Sequence, residues 1–101
     1  MRTVNIDCSG IESEAAFWTR YLRSTDAEGA GRFGRNLNAF RDALNGGPGW
    51  PGECEVRFFN TSRLAALNHG EFLEALRRIA DESMNVRVTL ARNVEGWWSP
   101  S

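Results

Sequence analysis

Lysine is absent from this chain of 101 residues, and all 12 of its basic residues are arginine. The 13 acidic residues leave a formal net charge of −1 at pH 7. So small a net charge gives no general attraction to nucleic acids or to anionic membrane surfaces. The arginines are also interspersed with carboxylates along the chain, which argues against direct nucleic-acid binding.

Long apolar runs are also missing. No segment approaches the ~20 apolar residues that a membrane helix needs, and residues 1–10 lack the charged and apolar regions of a secretory leader. We therefore expect a cytoplasmic protein without a membrane segment. Cysteine is scarce, because Cys8 and Cys54 stand alone without a redox or metal-ligand spacing. We expect both to be buried free thiols.

Groups that could carry catalysis are few. The single histidine, His69, stands beside Gly70 at a predicted helix junction and is better explained as a turn or capping residue than as a general base. No nucleophile motif, phosphate-binding loop or metal-ligand spacing occurs in the sequence. We therefore expect a binding protein that is not an enzyme and that uses no cofactor or metal.

The periodicity of apolar residues predicts the order strand, helix, helix, strand, helix, helix, strand. The predicted strands cover residues 2–7, 53–59 and 85–90, and the predicted helices cover residues 14–23, 37–44, 61–67 and 71–81. Such crossovers favour a small parallel sheet in an α/β fold. We expect a single domain over residues 1–101, in which residues 92–101 form a C-terminal extension. Its Trp97 and Trp98 either cover a sheet edge or helix, or form a second docking site.

The second predicted helix carries the clearest pattern in the chain. Its apolar side chains Leu37, Phe40 and Leu44 fall on one side at helical spacing. Its polar side chains fall on another side, at positions i, i+3, i+4 and i+7, and they are Asn38, Arg41, Asp42 and Asn45. The pattern predicts a helix that is anchored by one face and free to bind a partner with the other.

The segment from Phe33 to Leu44 reads aromatic-Gly-x-Asn-Leu-Asn-Ala-aromatic-x-Asp-Ala-Leu. This order resembles the segment that defines the barstar family, small intracellular inhibitors of secreted bacterial ribonucleases of the barnase type. The resemblance continues through a glycine-rich loop that ends at Trp50-Pro51 and extends to about Ala91. It implies a barstar-like fold with a three-stranded parallel sheet and about four helices, and a protein that neutralises a ribonuclease or related toxin.

In barstar-like inhibitors the second helix and the adjacent loops enter the ribonuclease active site, where carboxylates replace substrate phosphates and aromatic side chains fill the base-binding region. A cationic cleft attracts such an acidic face. By this resemblance Asp42 matches the principal acidic anchor of the family. The predicted partner-binding residues are Asp42, Asn38, Arg41, Arg32, Gly34, Asn45, Trp50 and Arg78.

Several of these positions depart from the family pattern and make the face less anionic. Asn38 stands where a second carboxylate is usual, so an acceptor remains without its charge. Arg32 and Arg41 replace aromatic residues, and Arg78 replaces an acidic residue. Trp50 either supplies the lost stacking surface or anchors its loop beside Pro51.

These departures leave two functions open. The first is inhibition of a cognate ribonuclease that differs from barnase. The second is an interaction or regulatory domain with a different partner, for which Arg32, Arg41 and Arg78 would suit acidic groups. Arg41 itself either forms an ion pair with Asp42 within the chain or pairs with an acidic group of the partner.

Overall fold

The computed structural model describes residues 2–92 of the chain. In chain order the elements are β1 (Arg2–Asp7), α1 (Glu14–Thr25), a short 3-10 helix (Ala30–Arg32), α2 (Leu37–Ala43), β2 (Cys54–Phe59), a longer 3-10 segment (Thr61–Gly70), α3 (Glu71–Glu82) and β3 (Arg87–Leu90). The element order predicted from the sequence is confirmed. The third predicted helix has 3-10 rather than α geometry, so three α-helices stand where about four helices were expected.

The three strands form one parallel sheet in the order β1, β2, β3. Val4 pairs with Val56, and Val56 pairs in turn with Val88. All three valine side chains are buried, because one face of the sheet packs against the helices. A parallel pair requires a long crossover connection, and helical segments provide both crossovers here. The predicted α/β fold with a three-stranded parallel sheet is confirmed.

Aromatic side chains from α1 and α2 fill the core. Phe17, Trp18 and Tyr21 of α1 are fully buried. The Trp18 ring packs against Phe33 and Phe40, with ring centroids 5.5 and 5.4 Å apart. Clusters of this kind bury a large apolar area and favour tilted or edge-to-face contacts. The cluster therefore fixes α2 and the turn before it against α1.

Some element ends differ from the sequence prediction. Ser13 caps α1, and its side chain accepts a hydrogen bond from the backbone amide of Ala16 in the first turn. The helix itself continues to Thr25, beyond the predicted end at residue 23. β2 begins at Cys54 rather than at residue 53, and β3 begins at Arg87 rather than at residue 85.

The Thr61–Gly70 segment is interrupted before α3. Asn68 and His69 have positive φ angles of 49° and 56°, and Gly70 follows with 87°. Left-handed backbone cannot continue a right-handed helix, which explains why the segment does not run on into α3 as one helix. His69 therefore lies at a helix junction, as predicted. Asn60 occupies the N-cap position of the segment, but its side chain makes no capping hydrogen bond.

The two cysteines are buried and free, as predicted. Cys8 follows β1 and Cys54 begins β2. Burial, with a smaller contribution from Asp7, raises the pKa of the Cys8 thiol to about 12. The thiol therefore remains protonated near neutral pH and packs as a small apolar side chain.

The predicted C-terminal extension falls almost wholly beyond the part of the chain that the structure describes. Trp97 and Trp98 lie outside the described residues. Both interpretations of this tryptophan pair therefore stay predictions.

Candidate functional site

The turn before α2 sets where the helix begins. Asn36 is the N-cap, and its side-chain oxygen accepts a hydrogen bond of 2.7 Å from the backbone amide of Ala39. Gly34 lies against the same turn, because a Cβ atom at Gly34 would lie 3.1 Å from the Cβ atom of Ala39. A larger residue at Gly34 would push the turn away from the helix. Gly34 therefore has a structural role in addition to its predicted place in the binding surface.

α2 has the two faces that the sequence predicts. Phe40 and Leu44 are buried, and Leu37 is half-buried against the core. The predicted polar residues are all exposed. Asn38, Arg41 and Asp42 lie on α2, and Asn45 lies in the turn just after the helix, which ends at Ala43 rather than at the predicted residue 44. The helix is therefore anchored by one face and presents the other to solvent.

Asp42 presents a carboxylate that the fold does not use. Within residues 2–92, its carboxylate oxygens have no hydrogen-bond or ion-pair partner, although its backbone carbonyl accepts hydrogen bonds from the amides of Asn45 and Gly47. Gly47 approaches this carbonyl so closely that an added Cβ atom would lie 3.0 Å from the oxygen. The loop thus holds the backbone of Asp42 and leaves its side chain free.

Two contacts extend this face beyond α2. Nη2 of Arg41 lies 3.5 Å from Oε2 of Glu82 at the end of α3. Oδ1 of Asn45 accepts a hydrogen bond of 3.0 Å from the side-chain amide of Asn85. Arg41 and Asn45 also line a cleft of about 120 Å³ with α3. Glu82 and Asn85 were missed by the sequence prediction, because no local spacing relates them to α2.

The pairing of Arg41 bears on one alternative that the sequence left open, and contact of Arg41 with a partner stays a prediction. Arg41 does not satisfy the neighbouring Asp42 within the described residues, because its ion pair is with Glu82. Successive residues of a helix point about 100° apart and do not face each other. The carboxylate of Asp42 therefore has no ion-pair partner among the described residues.

Trp50 is held by its loop rather than displayed freely. Its carbonyl accepts a hydrogen bond from the Glu28 amide, and the Gly49 amide donates to the Glu28 carbonyl. The buried hydroxyl of Tyr21 donates to the Gly49 carbonyl at 2.8 Å. The Trp50 indole is half-buried and packs against the core. These contacts support the anchoring interpretation, and contact of Trp50 with a partner stays a prediction.

The other predicted binding residues lie outside the cleft. Arg32 is exposed at the end of the Ala30–Arg32 helix, and Arg78 is exposed on α3. Within the described chain, neither guanidinium has a hydrogen-bond or ion-pair partner. Arg78 lines a separate open groove with Arg77 and Asp81. The structure therefore brings the α2 residues together and places Arg78 on a neighbouring surface.

The α2 surface offers recognition chemistry. It presents the carboxylate of Asp42, the amides of Asn38 and Asn45, and a guanidinium at Arg41. Among residues 2–92, no group of three or more His, Cys, Asp or Glu side chains could hold a metal ion. No helix in that range is long and apolar enough to cross a membrane. These donors and acceptors suit hydrogen bonding and charge pairing with another molecule.

Comparison of the sequence with models of known protein families finds a match to one family. The family model described as Barstar (barnase inhibitor) matches residues 1–94. No curated protein matches the chain.

Proposed function

The chain belongs to the barstar family, and from this premise we propose that it is an inhibitor that binds and blocks the active site of a cognate bacterial ribonuclease or related toxin. The inhibitor acts in the cytoplasm, where it protects the cell that makes the toxin. It has no catalytic activity of its own. The exposed face of α2 is the contact surface, and Asp42 is its anchor.

One observation carries this proposal: the carboxylate of Asp42 is exposed and without a partner in the described structure. Asp42 lies in the last turn of α2, where the negative end of the helix dipole disfavours a carboxylate. The fold therefore gains nothing from this charge. A cationic group of a bound protein would compensate it.

The chemistry of the expected partner fits this arrangement. An enzyme that cleaves RNA needs a cationic cleft to hold the phosphates, and a carboxylate at the centre of the contact can occupy a phosphate site. Asn38 lies one helical turn before Asp42 and adds an uncharged acceptor on the same face. The surface therefore combines one charged anchor with neutral hydrogen-bonding groups.

Co-expression in bacteria tests the proposal. The wild-type chain, Asp42→Ala and Glu12→Ala are each expressed with the ribonuclease-like toxin encoded nearest to the gene of this chain, and cell survival is scored. Glu12 is an exposed carboxylate in the loop before α1, so its replacement makes the same charge change outside α2 and α3. Survival is expected with the wild type and with Glu12→Ala, and is expected to be lost with Asp42→Ala.

Two results would contradict this assignment. Survival with Asp42→Ala would exclude this residue as the anchor. Absence of rescue by a folded and soluble wild-type chain would favour the second candidate, an interaction domain with an acidic partner. The observation that favours this candidate is that Arg32 and Arg78 are exposed guanidinium groups without partners in residues 2–92.

A further inference from the structure

Arg41 lies beside Asp42 on the exposed face of α2 and keeps a charge that the fold only partly neutralises. Its ion pair with Glu82 spans 3.5 Å, and the two side chains are 52% and 57% exposed. Ion pairs so open to water are weak and are screened by salt. A molecule that docks on α2 therefore meets the positive charge of Arg41 as well as the negative charge of Asp42.

We infer that Arg41 is a specificity-determining residue of the inhibitor surface. It favours a ribonuclease that presents a carboxylate opposite α2, and it disfavours a ribonuclease whose cleft is cationic throughout. This inference rests on the proposed function and adds to it the chemistry of the cognate partner at the same site.

The proximity of the two residues gives the physical reason. Arg41 and Asp42 are successive exposed residues of α2, so a protein cleft that covers the carboxylate of Asp42 also brings its own charges towards Arg41, and charges interact over about 8 Å at physiological salt. A wholly cationic cleft gains attraction at Asp42 and suffers repulsion at Arg41. A cleft that also holds a carboxylate gains attraction at both residues.

The test measures dissociation constants by calorimetry for two ribonucleases: the one encoded nearest to the gene of this chain, and barnase. Each is titrated with wild type, Arg41→Gln and Arg63→Gln. Arg63 is exposed on the Thr61–Gly70 segment, so its replacement changes the net charge equally on another element. The readout is the ratio of the two affinities, because a folding defect lowers both of them alike.

Arg41→Gln is expected to tighten binding to barnase and to weaken binding to the cognate ribonuclease, so that the ratio changes at least about tenfold. Arg63→Gln is expected to change the ratio by less than about twofold, because its charge is remote and screened. An unchanged ratio for Arg41→Gln, with a wild type that still binds the cognate ribonuclease, would overturn the role of Arg41 alone. Wild type that binds neither ribonuclease would overturn the proposed function, and this inference with it.

Discussion

Single residues of this protein divide into those whose contacts hold the fold together and those whose side chains have no partner in the described structure. Gly49 belongs to the first kind. Its φ angle is 94°, and an added Cβ atom would lie 2.5 Å from the buried ring of Phe33. Asp42 belongs to the second kind, because its side chain has no partner within residues 2–92. Substitutions at the two positions should therefore affect different properties.

Gly49→Ala is expected to lower the free energy of unfolding by about 2–4 kcal/mol, because a left-handed backbone and an overpacked core both oppose the added methyl group. Gly46→Ala is the matched control. Gly46 also has a positive φ angle, 101°, but nothing lies within 4 Å of its added Cβ atom. It should cost only about 1 kcal/mol, from the backbone alone. Urea unfolding measures the free energy of unfolding of both variants. Equal decreases for the two variants would refute the contact between residue 49 and Phe33.

The sequence predicts which residues are exposed at the site better than it predicts which side chains those residues pair with. The exposed face of α2 follows from helical spacing alone, and the structure places Asn38, Arg41 and Asp42 on it, with Asn45 exposed in the turn that follows. The pairing of Arg41 with Glu82 could not be predicted, because it depends on how α3 packs beside α2. A charge on the surface of a helix shows its partner in the sequence only when that partner lies three or four residues away.

At the scale of elements, α2 depends on its surroundings. It has seven residues, and isolated helices shorter than about 12–15 residues are marginal in water. The Asn36 cap, the buried Phe40 ring and the following loop hold it in place. The loop is itself tied to α1 by Tyr21, whose hydroxyl donates to the Gly49 carbonyl. Burial raises the pKa of Tyr21, which keeps this donor protonated.

Tyr21→Phe is expected to lower the free energy of unfolding by about 1–2 kcal/mol, because the buried Gly49 carbonyl loses its side-chain donor. The effect should be local to the loop. Hydrogen exchange should accelerate at the amides of Gly49 and Trp50, and amides of β2 serve as the control in the same experiment. Unchanged exchange at the loop amides would show that the hydroxyl does not hold the loop.

Most elements could be predicted from periodicity, and the Thr61–Gly70 segment shows the limit of that method. Its composition is compatible with a helix, yet three successive left-handed residues end it at Gly70. Gly70 signals such a turn in the sequence, because glycine adopts positive φ without strain. Asn68 and His69 adopt it as well, which propensity alone does not predict.

At the scale of the whole molecule, Asp7 joins the carboxyl ends of two strands. It ends β1, and its Oδ1 accepts hydrogen bonds of 2.9 Å from the amide of Asn60, which follows β2, and from the backbone of Ser9. Partial burial raises the pKa of Asp7, but these hydrogen bonds and the nearby Arg20 outweigh it and hold the pKa below its ordinary value of 3.8.

Because the pKa of Asp7 is lower in the folded state, its ionisation stabilises the fold at pH values above 3.8. This stability is lost as the pH falls through the folded pKa. We expect Asp7→Asn to be less stable than wild type at pH 6, and the difference to shrink as the pH falls below 3.8 through the folded pKa, because the Asp7 carboxylate is then progressively neutralised. Thermal melting from pH 6 to pH 2 measures the stability difference between wild type and Asp7→Asn. A difference that stays constant with pH would show that the charge of Asp7 does not stabilise the fold.

Inhibition of a ribonuclease through Asp42, as we propose, can be measured by titrating the purified chain into the cognate ribonuclease and following RNA cleavage. Wild type should abolish cleavage at a one-to-one ratio. Asp42→Ala should melt at nearly the wild-type temperature, since an exposed change costs less than about 0.5 kcal/mol, and should inhibit at least about thirtyfold more weakly. Equal inhibition by wild type and Asp42→Ala would exclude Asp42 as the anchor, and undiminished cleavage with folded wild type would exclude inhibition of this ribonuclease.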